Sequence, residues 1–208
     1  MTAPLGSFSV DARLGRRVTV SRRTRETDVT VTLDLDGAGT VDVRTGVGFY
    51  DHLLGSLAHH ALFDLSVQVS GDLEVDEHHT VEDVALVLGA ALAEALGDRA
   101  GIARFGDAAL PMDEALASAV VDVGGRPYAV LEIPFRGHRI GALPTQLVEH
   151  ALEAFARQSG TTLHLRATGR NDHHVAEAAF KALGRALRAA VAVDPGRVGT
   201  ASTKGSLG

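Results

Sequence analysis

The sequence predicts an α+β chain, an internally duplicated unit built around a buried layer of helices. Three observations predict it. The spacing HHxxE occurs twice, as His78-His79-x-x-Glu82 and His173-His174-x-x-Glu177, each time opening a helical pattern. His52 lies 19 residues before Gly71, and His150 lies 19 before Gly169; between them FDLSVQVSG (63–71) aligns without a gap on TTLHLRATG (161–169). The segment VALVLGAALA (84–93) is apolar all round, so a helix there needs cover on both faces and belongs between sheets.

The elements follow in order. Residues 1–15 lack a period and read as a flexible N-terminal arm. Val18 to Thr24 and Val29 to Leu35 read as strands joined through Arg25-Glu26-Thr27, and Thr40 to Arg44 as a third after a glycine turn. Phe49 to Ala61 is a helix carrying His52. A strand from Phe63 to Ser70 and a helix from His78 to Leu96, stopped by Gly97, complete a first half over 16–100. The second half, 101–195, repeats the order. Strands at 115–123 and 127–133 are joined at Gly124-Gly125-Arg126, and a polar loop runs through Gly141. A helix from Leu143 to Arg157 carries His150, a strand ends at Thr168, and a helix runs from His173 to Val191. Residues 196–208 read as an irregular C-terminal tail.

Composition limits the chemistry. The net charge of −6 argues against a general nucleic-acid surface. The longest apolar run is ten residues, too short to span a bilayer, so no membrane partner is expected. No cysteine is present. This excludes disulfides and thiolate metal sites, fits a cytoplasmic protein, and leaves imidazole and carboxylate as metal ligands.

Residues three or four apart share a helix face, whereas adjacent residues point about 100° apart. One metal would therefore struggle to hold both histidines of an HHxxE together with its glutamate. Two metals suit the spacing. The two halves supply six histidines and two glutamates, which divide into three His and one Glu for each ion. Four protein ligands on a six-coordinate ion leave open positions, as catalysis requires. Lys181, one turn beyond Glu177, can project towards the same site and suggests an anionic ligand. His59, His60, His138 and His164 fall outside the repeat and read as structural.

HHTVED preceded by Asp76, with GRNDHHVAEAAFK, GVGFYDHLL, PMDEALA, GRPY and the terminal STKG, closely resembles imidazoleglycerol-phosphate dehydratase of histidine biosynthesis, from about Arg22 to Gly205. The resemblance implies a helix layer sandwiched between two four-stranded sheets, like that of a ribosomal-protein domain. It implies a hydro-lyase that converts imidazole glycerol phosphate to imidazole acetol phosphate, with two Mn2+ per chain. One ion falls to His52, His79, His174 and Glu177, the other to His78, Glu82, His150 and His173. A strict repeat would have treated the two His-His pairs alike; this partition does not. Glu26 becomes a substrate-contacting, acid–base residue, and Glu177, His52 and His79 join it as catalytic residues. Arg104, Arg126, Lys181, Ser202 and Lys204 match the positions that hold the phosphate. The family pattern departs at Gln146, usually Glu, at Gly184, usually Ala, and over 133–142.

The chemistry implied is an elimination that no carbonyl activates. Metal-bound imidazole, held as imidazolate, would help expel the C3 hydroxyl, and Glu177 or Glu26 would take the C2 proton. Two other classes remain open on the residues alone. These are a dinuclear metallohydrolase and a metal-storage bundle, the latter disfavoured by six histidines. The resemblance further implies a closed homo-oligomer of twenty-four chains with metal sites at subunit interfaces. If a pseudo-twofold ran across the two long helices, His79 and His174 would start at opposite ends of a layer roughly 30 Å deep and could not share an ion within one chain.

Overall fold

The computed structural model describes residues 5–205 and 207. Its first sheet contains β1 (Phe8–Leu14), β2 (Arg17–Arg23), β3 (Thr27–Asp34), β4 (Val41–Arg44) and β5 (Asp64–Gly71), in the order β1-β2-β3-β5-β4. On it lie α1 (Gly48–Ala61) and α2 (His78–Leu96). The second sheet contains β6 (Phe105–Met112), β7 (Ala115–Asp122), β8 (Tyr128–Glu132) and β11 (Thr162–Thr168), in the order β6-β7-β11-β8. It carries α3 (Thr145–Ser159) and α4 (Asp172–Ala190). Between β8 and α3, β9 (Arg139–Ile140) and β10 (Leu143–Pro144) form a small hairpin.

Apart from β1, the two sheets share one topology. Each has three antiparallel strands, then a final strand that joins in parallel: β4 along β5 and β8 along β11. Strict alternation makes the inner faces. Val29, Val31 and Leu33 of β3 and Ala115, Ala117, Ala119 and Val121 of β7 are buried while their neighbours are not. All four helices lie between the sheets, and one apolar core runs through both halves.

The helices cross between the halves. α2 packs on α3, and α1 packs on α4. Each contact is closed by a glycine at the same offset from its HHxxE. A Cβ at Gly89 would press on the Phe155 carbonyl, and one at Gly184 would collide with the Leu57 carbonyl. The alanine usual at position 184 therefore does not fit this α1–α4 spacing. Gly184→Ala is expected to lower stability by about 1–2 kcal/mol. Overpacking costs about 1–3 and helix propensity returns only about 0.5–1. Urea denaturation measures the difference.

Three readings change. Residues 8–14 are not a loose arm: β1 pairs antiparallel with β2 and makes the first sheet five-stranded. It is an edge strand exposed along most of its length, so it carries no hydrophobic period. β6 was not expected, because Gly106, Asp107 and Pro111 break its pattern; it too is an edge strand, where proline is tolerated. β7 and β8 are joined through residues 123–127, and β11 lies between them in the sheet. α3 begins at Thr145, after a hairpin in the segment read as loop.

Candidate active site

Both HHxxE helices start at the same end of the layer. The backbone N–H groups of Arg136 and Gly137 donate to the Asp172 carboxylate at the head of α4. Two residues on, Arg139 Nη2 donates to Glu77 Oε1 at the head of α2, 2.6 Å away. At the other end, Arg16 in the β1–β2 turn donates to Val191 O just beyond α4, near the Arg13 guanidinium beside Gly97 at the end of α2. The helices thus run parallel, and the pseudo-twofold lies along them. The opposed arrangement weighed from the sequence does not occur.

Two ligand clusters form at this end. In the first, His52 Nε2 of α1 and His173 Nε2 of α4 lie 3.0 and 3.1 Å from Glu177 Oε2. In the second, His78 Nε2 of α2 and His150 Nε2 of α3 lie 3.8 and 3.5 Å from Glu82. Each cluster brings one possible ligand atom per residue within 4.8 Å of the others. The clusters are pseudo-equivalent. Each pairs the first histidine and the glutamate of one HHxxE with the lone histidine of the other half. His173 therefore stands with His52 and Glu177, where the set implied by the resemblance had His174. The internal repeat is obeyed more strictly than that set allowed.

The second histidines face elsewhere, with ring planes at 83° and 90° to their neighbours. His79 Nδ1 bonds Asp72 Oδ2 at 3.0 Å, and its Nε2 lies 4.0 Å from Glu26 Oε1. His174 Nδ1 bonds Glu114 Oε2 at 2.8 Å, and its Nε2 lies 3.8 Å from Asp113. Glu26 sits in the β2–β3 turn, where Thr24 Oγ1 accepts the Glu26 and Thr27 amides.

Electrostatics keep Glu177 and Glu114 ionised. Burial alone would push the Glu177 carboxyl up, but hydrogen bonds and charge from Lys181 and His52 outweigh it and hold the group at about 2. Lys181 Nζ lies 2.7 Å from Glu177 Oε1. The His174 hydrogen bond and the Asn171 and Arg170 amides hold Glu114 at about 2. The same contacts raise the two outer imidazoles, His79 chiefly through Asp72 and His174 chiefly through Glu114.

A separate basic cavity of about 340 Å³ is lined by Arg104, Arg126, Ser202 and Lys204. Arg104 is bidentate to Asp122 and donates to Ala201 O, which folds the tail over the cavity; spare N–H donors remain. Lys181 is not there. It approaches Met112 Sδ at the far end of β6, whereas Arg104 precedes the start of that strand. At about 3.4 Å per residue β6 separates them by roughly 24 Å.

The sequence profile described as imidazoleglycerol-phosphate dehydratase matches residues 45–187. The imidazoleglycerol-phosphate dehydratase of Methanoculleus marisnigri is 56% identical over 188 residues, 90% of this chain and 97% of that protein. That of Dinoroseobacter shibae is 53% identical over 194 residues, 92% of this chain and all of that protein. Among solved structures, the Pyrococcus furiosus enzyme superposes with a TM-score of 0.78 at 34% identity, covering 90% of this chain and 99% of that one. The Staphylococcus aureus enzyme gives 0.74 at 34% identity, covering 80% and 95%. This chain belongs to the imidazoleglycerol-phosphate dehydratase family. The dehydratases are hydro-lyases, and this chain is an enzyme of that class.

The residues present fit the metal that dehydratase membership suggests. Both clusters are all nitrogen and oxygen, as a borderline transition ion prefers. His150 Nε2 is buried with no hydrogen-bond partner among the described residues, as an atom awaiting a metal would be. Sequence reasoning missed Asp72, Asp113 and Glu114. Asp113 and Glu114 lie within the family's PMDEALA motif, but nothing in their spacing ties them to His174.

Proposed function

We propose that this chain dehydrates imidazole glycerol phosphate to imidazole acetol phosphate, with two Mn2+ per chain, in a cytoplasmic homo-oligomer of twenty-four chains. The observation that carries the reading is the pair of equivalent clusters, each one histidine short. Within one chain each cluster has two imidazoles and one carboxylate, while His79 and His174 remain over. Exchanging His173 and His174 in the implied ligand sets matches the clusters and keeps three His and one Glu for each ion. The sets become His52, His79, His173 and Glu177, and His78, Glu82, His150 and His174, with the outer histidine drawn from a neighbouring chain.

When bound, Mn2+ supplies Lewis acidity that favours the deprotonated form of the substrate imidazole. The chain's own groups do the rest. Glu177 has both oxygens committed, one to His52 and His173 and the other to Lys181. Glu26 is half-exposed and lies beside His79, so we assign it the proton transfer at C2. Glu26 takes the C2 proton as the C2–H electron pair forms the C2–C3 double bond, the C3 hydroxyl leaves as water with that proton returned from Glu26, and the enol becomes the ketone as its hydroxyl proton moves to C3. Arg104, Arg126, Ser202 and Lys204 supply cationic and hydrogen-bond donors to the phosphate. Lys181, roughly 24 Å away along β6, joins them only from another chain.

The test is incubation with imidazole glycerol phosphate and Mn2+. The expected product is the ketone, imidazole acetol phosphate, formed without release of inorganic phosphate. Phosphate release without ketone would favour a dinuclear hydrolase. Metal uptake without turnover would favour storage.

A further inference from the structure

The two outer histidines are held alike from positions that are not alike. The sheet registers fix the correspondence between the halves. In the first sheet Thr27 pairs with Gly71, and in the second Leu116 pairs with Thr168, one step before Gly169. Matching Gly71 to Gly169 places Thr27 on Ala115, Glu26 on Glu114, and Asp72 on Arg170. Around His79 the Nδ1 partner is Asp72, which follows β5. Around His174 the corresponding position is Arg170, and the hairpin residue Glu114 takes over. Glu26, the counterpart of Glu114, is thereby free of that contact.

We propose that Asp72 and Glu114 are positioning residues. Each fixes its histidine as the Nδ1–H tautomer and presents a bare Nε2 to a metal completed by another chain. This rests on the metal-dependent reading above. An ionised carboxylate only accepts hydrogen bonds, so the imidazole nitrogen facing it must carry the proton. In a neutral ring the other nitrogen then keeps its lone pair for a metal. The arrangement makes His79 and His174 equivalent ligands and leaves Glu26 free of the Nδ1 contact that its counterpart Glu114 makes.

The two carboxylates differ in a way that supplies the test. Glu114 Oε1 accepts the Arg170 and Asn171 amides at 3.0 and 2.7 Å, so its orientation is fixed. In Glu114→Gln the amide oxygen must stay on those donors, which turns the NH2 towards His174 Nδ1. That NH2 donates, drives the ring proton to Nε2, and blocks ligation while the loop keeps its hydrogen bonds. Asp72 Oδ1 is buried with no partner among the described residues, so Asp72→Asn is free to turn its oxygen to His79.

Metal-stripped protein is titrated with Mn2+ against a fluorescent chelator, and the histidine tautomers are read by nitrogen NMR before metal is added. Glu114→Gln is expected to weaken one of the two ions per chain by about 10–100-fold and to show His174 protonated at Nε2. Asp72→Asn is expected to stay close to the parent, whereas Asp72→Ala weakens Mn2+ by a similar about 10–100-fold. A Glu114→Gln protein with the parent's affinity and tautomer overturns the proposal. If that variant does not fold, the Asp72 pair decides: equal affinities in Asn and Ala variants overturn it. If the parent takes up no Mn2+, the functional reading falls, and the nitrogen spectrum alone decides tautomer control.

Discussion

Metal-stripped protein is expected to lose dehydratase turnover and to scatter light as a smaller species, and added Mn2+ is expected to restore both. Among the described residues each cluster draws two imidazoles and a carboxylate from its own chain. An ion that takes its last histidine from a neighbour binds the assembly and not the separated chain, so mass action couples metal to oligomer. Elemental analysis should give close to two ions per chain; one ion in fully active enzyme would remove the dinuclear reading. Acid should reverse loading, because imidazole must be neutral to ligate. Asp72 raises the His79 pKa and Glu114 raises that of His174, so each ring holds its proton to higher pH than a free imidazole does. Mn2+ affinity should therefore drop on acidification. A full-size, fully active assembly lacking metal would sink both ideas.

Glu26→Gln is expected to lower turnover by about 10²–10⁴-fold while leaving Mn2+ content intact and KM little changed. The substitution keeps the side chain's shape and removes its ability to take a proton. No cluster depends on Glu26: its carboxylate lies 4.0 Å from His79 Nε2 and is half-exposed. The turn that holds it is built by Thr24 Oγ1 and by a Glu26 carbonyl that accepts the Asp72 amide. Both survive the change. A split between kcat and KM distinguishes proton transfer from substrate binding. Unchanged turnover would take Glu26 out of the chemistry.

The sequence made the helices and the candidate ligands legible because both obey a period. HHxxE places a histidine and a glutamate one turn apart, and the gapless match of 63–71 to 161–169 lies on the sheet positions of β5 and β11. Spacing could not choose between His173 and His174, since i+4 and i+3 both reach Glu177. The choice is tertiary: the face of α4 bearing His173 meets α1, and the face bearing His174 meets the β6–β7 hairpin. β1 and β6 were illegible because edge strands bury too little to carry a pattern. The residues proposed for the phosphate stand out in the sequence only through family likeness. Arg104, Arg126, Ser202 and Lys204 are scattered over a hundred positions, and only the folded tail brings them together.

The exchange of histidines between halves has a bearing on ancestry. His52 completes the second half's HHxxE, and His150 completes the first half's. In a dimer of single half-chains this would be an isologous contact, each copy lending the other the same residue. The glycines at 89 and 184 would then be one glycine seen twice, closing one self-complementary helix crossing. A tandem fusion of two such copies preserves every one of these contacts without a new one being invented. Fused copies would be free to diverge, and the halves now differ where Asp72 corresponds to Arg170 and Glu114 makes the contact instead. Borrowing a ligand across a chain boundary would then have begun when the boundary lay in the middle of this sequence.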